Sequence, residues 1–90
     1  MKFEWDEEKR QKTIESRGVD FLYAALIFEG PTLMREDDRE DYGEIRLVSI
    51  GLVDKAPYVV VHTERGGRIR LITAWKGGHK EYEAYKNSLP

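Results

Sequence analysis

Cysteine is absent from the chain. A protein without thiols can form neither a disulfide framework nor a thiolate metal site, and a reducing cytoplasm is its natural setting. Histidine is scarce as well: His62 and His79 stand seventeen residues apart, so no histidine-rich ligand set exists. The reading therefore calls for no metal and no cofactor. No apolar run approaches the ~20 residues needed to span a bilayer, and the opening MKFEWDEEKR has no apolar signal segment. A soluble, cytoplasmic protein with no membrane association is expected. Repeats and low-complexity tracts are also missing, and 90 residues suffice for a single domain, 1–90, with one modest core.

Positive charge looks scarce at first, because the formal net charge is -2. The halves differ, however. Residues 1–45 hold 7 Lys and Arg against 13 Asp and Glu, whereas residues 46–90 hold 8 against 4. An acidic half masks a basic one, which argues against nonspecific coating of nucleic acid and for a local anion site.

Lys2 to Trp5 alternates polar and apolar and predicts an edge strand. Asp6 is placed to cap a helix with Glu7 and Glu8 in its first turn, ending near Arg17 at Gly18. Asp20 caps a second helix whose Phe21, Leu22, Ala25, Leu26 and Phe28 form an apolar face before Gly30-Pro31. Thr32 to Arg35 can form a strand, and the run EDDRED at 36–41 reads as a solvated loop without the spacing of a calcium loop. Glu44–Asp54, Tyr58–Arg65 and Arg68–Trp75, separated by Asp-Lys-Ala-Pro and Gly-Gly, predict an antiparallel meander. HKEYEAYKNSL predicts a short final helix. The fold class is α+β: an N-terminal strand and a two-helix hairpin packed on an antiparallel meander, with a short C-terminal helix.

A two-residue Gly66-Gly67 turn pairs Arg65 with Arg68, Thr63 with Arg70 and Val61 with Ile72. A four-residue Asp54–Pro57 turn then sets Val53 opposite Tyr58 and Arg46 opposite Arg65. One face carries Val48, Ile50, Leu52, Val59, Val61, Ile72 and Ala74, with Arg46, Arg65, Arg68 and Arg70 at one end. The other carries Ser49, Val60, His62, Glu64, Leu71, Thr73 and Trp75. Arginines gathered this way need either neighbouring carboxylates, with Glu44, Glu64 and EDDRED at hand, or an anionic ligand. A guanidinium suits the second task because its planar fork grips phosphate with two parallel hydrogen bonds. His62 is either a packed strand residue or a proton carrier, and Trp75 either a core residue or a stacking platform for a base.

KFEWDEEK at 2–9, RGVDF at 17–21, the IFEGP that follows and above all VVHTERGGRIRLITA at 60–74 resemble the BrnT toxins of bacterial type II toxin–antitoxin systems. The resemblance covers nearly the whole chain and includes Lys76, Glu81 and Tyr85 in the tail. It implies a RelE-like fold and an endoribonuclease that cleaves RNA without metal to inhibit translation. It also implies a BrnA-like antitoxin partner, with promoter DNA reached only indirectly through that antitoxin. Carried onto this chain, Arg65 joins His62, Glu64, Lys76 and Tyr85 as catalytic candidates, and Arg46, Arg68 and Arg70 are phosphate-binding candidates. The chain differs from the usual family pattern at Trp75 and Tyr82, where arginines are common, and at Arg17, where histidine is common.

Two other readings use the same residues. A noncatalytic module could grip an acidic partner with the same arginines. A DNA-binding regulator is less well served, since no helix is basic along one face.

Overall fold

The computed structural model describes residues 1–90. Its elements in chain order are β1 (Phe3–Trp5), α1 (Glu7–Arg17), α2 (Phe21–Ala24) running into a 3₁₀ turn (Ala25–Glu29), β2 (Leu33–Glu36), β3 (Leu47–Val53), β4 (Ala56–Arg65), β5 (Arg68–Lys76) and α3 (His79–Ser88). The five strands form one sheet in the order β1-β5-β4-β3-β2. The α+β class, the meander and the terminal helix follow the sequence reading. β1 is an edge strand as expected, but it pairs with β5 in parallel, so the sheet is mixed rather than purely antiparallel.

Local chemistry sets the helices. The Asp6 carboxylate accepts the Lys9 N–H at 3.3 Å. Gly18 closes α1 with φ 68°, its N–H bonded to the Ile14 carbonyl at 2.8 Å. A cap of the Asp6 kind typically contributes about 1 kcal/mol. Asp20 caps α2 through the Leu22 N–H at 2.8 Å and also receives a two-pronged bond from Arg10, with both contacts at 2.7 Å. That fork joins the two helices and holds the Asp20 carboxyl below its ordinary pKa, the Arg10 bonds outweighing the effect of burial. The second helix is shorter than its apolar pattern predicts, because it tightens to 3₁₀ geometry from Ala25 onward. There Ile27 presses on the sheet so closely that a Cβ on Gly51 would lie 2.7 Å from the Ile27 Cβ.

Both hairpin turns use positive φ. Gly66 and Gly67, at 57° and 79°, pair Arg65 with Arg68 as predicted. The other turn is Asp54-Lys55 alone, at 49° and 68°, rather than four residues. Val53 therefore meets Ala56 instead of Tyr58, a register two residues away that leaves every side chain on its predicted face. β5 departs further. A bulge falls between the pairs His62↔Leu71 and Val61↔Thr73, leaving Ile72 as the extra residue. Beyond it the faces exchange: Thr73 and Trp75 join Val61 and Val59, and Ala74 joins Val60, opposite to the sequence reading, while Lys76 falls beside Tyr58.

The sheet separates two apolar clusters. Val19, Phe21, Ala24, Ala25 and Ile27 cover Val53, Val60, Leu71 and Ala74 on one face. On the other, Tyr85 of α3 packs with Val48, Ile50, Val59, Val61 and Ile72, flanked by Trp75, Leu33, Leu52 and Leu89. Away from Tyr85, the Arg46–Arg70 end of this second face stays partly open, its arginine side chains 28–55% exposed.

Candidate functional site

Strand alternation brings Arg65, Arg68 and Arg70 to that open end, and Arg46 stands two residues before Val48. Two carboxylates serve these four arginines. Glu44 lies 3.0 Å from Arg65 Nη2 and 3.7 Å from Arg46 Nε. Glu4, whose Cα partner is Arg70, lies 3.8 Å from Arg70 and 4.0 Å from Arg68. Only the Arg65–Glu44 contact is a hydrogen bond; the others are charge contacts that leave guanidinium N–H groups free. Arg65 holds the Glu44 carboxyl below its usual pKa. Arg46 Nε is buried with no hydrogen-bond partner. Such an orphan is costly in a folded protein, and here only the charge of Glu44 at 3.7 Å offsets it.

α1 adds two cations that the strand-based reading missed. The Lys9 ammonium has its pKa lowered by partial burial and then by the positive charges of Arg46, Arg17 and Arg70, with Asp6 opposing. Arg17 reaches β5 beyond the three residues that β1 covers, donating to Thr73 Oγ1 at 3.1 Å and to the Ala74 carbonyl at 3.2 Å. Its guanidinium lies 5.5 Å from the centroid of Trp75. Lys9, Thr13 and Arg17 follow one another at helical spacing, and Thr13 is the buried residue of α1. That spacing was the available signal.

The acidic run at 36–41 is solvated as expected except at one residue: Glu36 ends β2, and of the six only Asp37 is buried. Asp37 is only 7% exposed. Its carboxylate accepts Arg39 Nε and Nη2 at 2.7 Å each, the Arg39 N–H at 3.3 Å and the Tyr42 hydroxyl at 3.3 Å. Held chiefly by Arg39, its pKa falls to about 2. The Asp37 N–H bonds to the Arg46 carbonyl at 2.8 Å, and the Arg46 guanidinium lies 4.1 Å from the Tyr42 ring centroid. The segment thus folds against the arginine end. Between it and the sheet runs a cleft of about 430 Å³, lined by Arg35, Glu36, Asp37, Asp38, Arg39, Val48 and Trp75.

Four of the sequence-derived candidates, Arg46, Arg65, Arg68 and Arg70, share this face. His62, Glu64 and Lys76 do not. His62 is 4% exposed on the α2 face. Its Nε2 lies 2.8 Å from Ser49 Oγ, and its ring meets Phe28 edge-on at 5.0 Å. Burial lowers its pKa, which favours a neutral imidazole. Glu64 pairs with Ile69 on the same side, and the β5 bulge carries Lys76 to that side too, opposite Tyr58. Tyr85 lies beneath α3 with its hydroxyl donated to the Pro31 carbonyl at 2.9 Å.

The family model of the ribonuclease toxin BrnT of type II toxin–antitoxin systems matches residues 5–81. The chain belongs to the BrnT family. In BrnT terms the matched span contains Lys9, Arg17, Trp75 and all four arginines of the open face, while Glu4 and most of α3, Tyr85 included, lie outside it. Membership of a type II system implies an antitoxin partner for this BrnT chain. No individually curated protein matches the sequence significantly. No helix of this BrnT protein is long and apolar enough to cross a membrane, and no three His, Cys, Asp or Glu side chains converge as a metal-ligating group.

Proposed function

We propose that this BrnT chain is a cytoplasmic, metal-independent endoribonuclease that binds the RNA backbone on the Arg46–Arg70 face and is neutralised there by a BrnA-like antitoxin. The observation that carries the reading is the incomplete pairing of that face, where four arginines share two carboxylates through a single hydrogen bond and Arg46 Nε has only a 3.7 Å charge contact with Glu44. A phosphodiester supplies the missing acceptors. The face is also cationic enough to repel a metal ion, so guanidinium groups perform the charge stabilisation a metal would otherwise provide.

The chemistry is in-line attack of a ribose 2′-oxygen on the adjacent phosphorus. The new P–O2′ bond forms as the P–O5′ bond breaks, giving a 2′,3′-cyclic phosphate and a 5′-hydroxyl. Arg46 and Arg70 hold the non-bridging oxygens, whose charge grows in the transition state. Glu4, beside Arg70, accepts the 2′-hydroxyl proton, and Lys9 donates a proton to the leaving 5′-oxygen. Lys9 suits the donor role because burial and three guanidinium groups weaken its hold on its proton. His62, buried against Ser49 and Phe28, serves the fold in this scheme.

A second reading, a protein-binding module without catalysis, is favoured by the absence of any histidine from the arginine face. One experiment separates the two: end-labelled single-stranded RNA incubated with purified protein in excess EDTA. Cleavage yielding cyclic phosphate ends supports the ribonuclease. Intact RNA, from protein that still binds its antitoxin, overturns it in favour of the module.

A further inference from the structure

The cleft between Trp75 and the Glu36–Arg39 segment has a shape and lining that phosphate binding does not require. Its volume of about 430 Å³ lies within the range of small-molecule sites, roughly 300–1,000 Å³. A phosphate needs only donors, whereas this cleft sets an indole and the apolar Val48 beside carboxylates and guanidinium groups. Arg17 lies over Trp75 without lining the cleft itself, and Thr73 and Ala74 hold it there. Asp37 and Arg39 are locked to each other, but Arg35 and Asp38 form no ion pair and keep their donors and acceptors free. The cleft also adjoins the phosphate face, since the Asp37 N–H bonds to the Arg46 carbonyl and Val48 follows Arg46 by two residues.

We propose that this cleft is a nucleobase subsite, in which a base of single-stranded RNA stacks on Trp75 while its polar edge meets Asp38, Arg35 and Arg39. An aromatic face gives affinity for any base, and carboxylate and guanidinium groups at the edge read its donors and acceptors. A base seated here places its own phosphate towards Arg46. The inference rests on the RNA reading above and adds to it the part of the nucleotide that selects where the chain is bound.

The test compares two uncleavable ligands of equal length and charge, a 2′-O-methyl oligoribonucleotide and its abasic sugar-phosphate counterpart. The full chain carries Trp5→Phe, which leaves Trp75 as the sole tryptophan reporter. The base-containing ligand should quench Trp75 emission and bind about ten-fold or more tighter than the abasic one. Trp75→Ala, followed by anisotropy of labelled ligand, should bring the two affinities together while the abasic affinity stays unchanged. Equal affinities with unaltered emission overturn the subsite and leave phosphate binding standing. If neither ligand binds, the RNA reading itself fails and the subsite with it. Because the ligand comparison uses one and the same protein, it decides the matter even where Trp75→Ala does not fold.

Discussion

Arg17 and Trp75 touch: the guanidinium lies 5.5 Å from the indole centroid, and its Nη1 bonds to Thr73 and Ala74 beside it. The resemblance to BrnT toxins implies histidine at position 17 and arginine at position 75 in place of these two. An arginine introduced at position 75 alone would face Arg17. We predict that Trp75→Arg destabilises the fold by about 1 kcal/mol through the lost cation–π contact and the new repulsion, and that adding Arg17→His recovers most of it. Urea denaturation of the two variants and the wild type tests this; equal midpoints for the single and double variants would refute the coupling.

Arg46 offers a separation of stability from activity. Removing it deletes a Tyr42 contact worth about 0.5–1 kcal/mol but also relieves a buried, unpartnered donor. Arg46→Ala should leave stability within about 0.5 kcal/mol of wild type, while single-turnover cleavage falls on the order of 100-fold. Arg70→Ala should behave alike. Arg65→Ala should lose less, because that side chain is exposed at the hairpin tip and already bonded to Glu44. Equal losses at all three positions would show that the face acts only through its net charge.

His62 governs stability near neutral pH. Burial holds its folded pKa below the unfolded value of about 6.5, so folding favours the neutral ring. The contribution is complete above the unfolded value and is lost as pH falls through the folded one. The melting temperature should therefore drop as pH falls below about 6.5. His62→Gln should flatten this window, cost about 1–3 kcal/mol at pH 7.5, and keep the cleavage rate per folded molecule. A large loss of cleavage in folded His62→Gln protein would return the imidazole to the mechanism.

Asp37 acts in a lower window. Its folded pKa of about 2 lies beneath an unfolded value near 3.9, so its stabilisation is present above about pH 4 and disappears as pH falls through 2. Asp37→Asn should remove that acid sensitivity. It should also loosen Arg39 and Tyr42, read as raised amide exchange across residues 37–46. Unchanged exchange there would show that the segment is held by other contacts.

Antitoxin binding should raise the melting temperature by linkage, as does any partner that prefers the folded chain. It should also block the 2′-O-methyl RNA from the face. Simultaneous binding of both, seen by sedimentation, would place the antitoxin elsewhere on the molecule.

The sequence disclosed what depends on period and turn chemistry. Alternation along β3 and β4 put Val48, Ile50, Val59 and Val61 on one face, and a two-residue error in the Asp54 turn cost nothing because strand side chains repeat every two residues. The bulge at Ile72 was hidden, since neither glycine nor proline marks it, and it reversed Thr73, Ala74 and Trp75. EDDRED read as solvated, which five of its six residues bear out; composition cannot see that Asp37 alone is buried, with Arg39 two residues on folding back to fork its carboxylate. Lys9 and Arg17 were legible as residues on one helical face, but only the crossing of α1 against β5 shows that this face points at the arginines.

β1 is three residues long and pairs Phe3 with Ile69 and Glu4 with Arg70. The ribosome delivers the N-terminal partner of each pair first and the other only after several seconds of further synthesis, at roughly 5–20 residues per second. Until β5 has emerged, Glu4 has no strand to lie against, Arg17 has no carbonyl to meet, and the cationic face does not exist. A nascent chain therefore carries most of its cationic residues before it has the face that gathers them. Order of synthesis makes that face one of the last parts of the sheet to assemble.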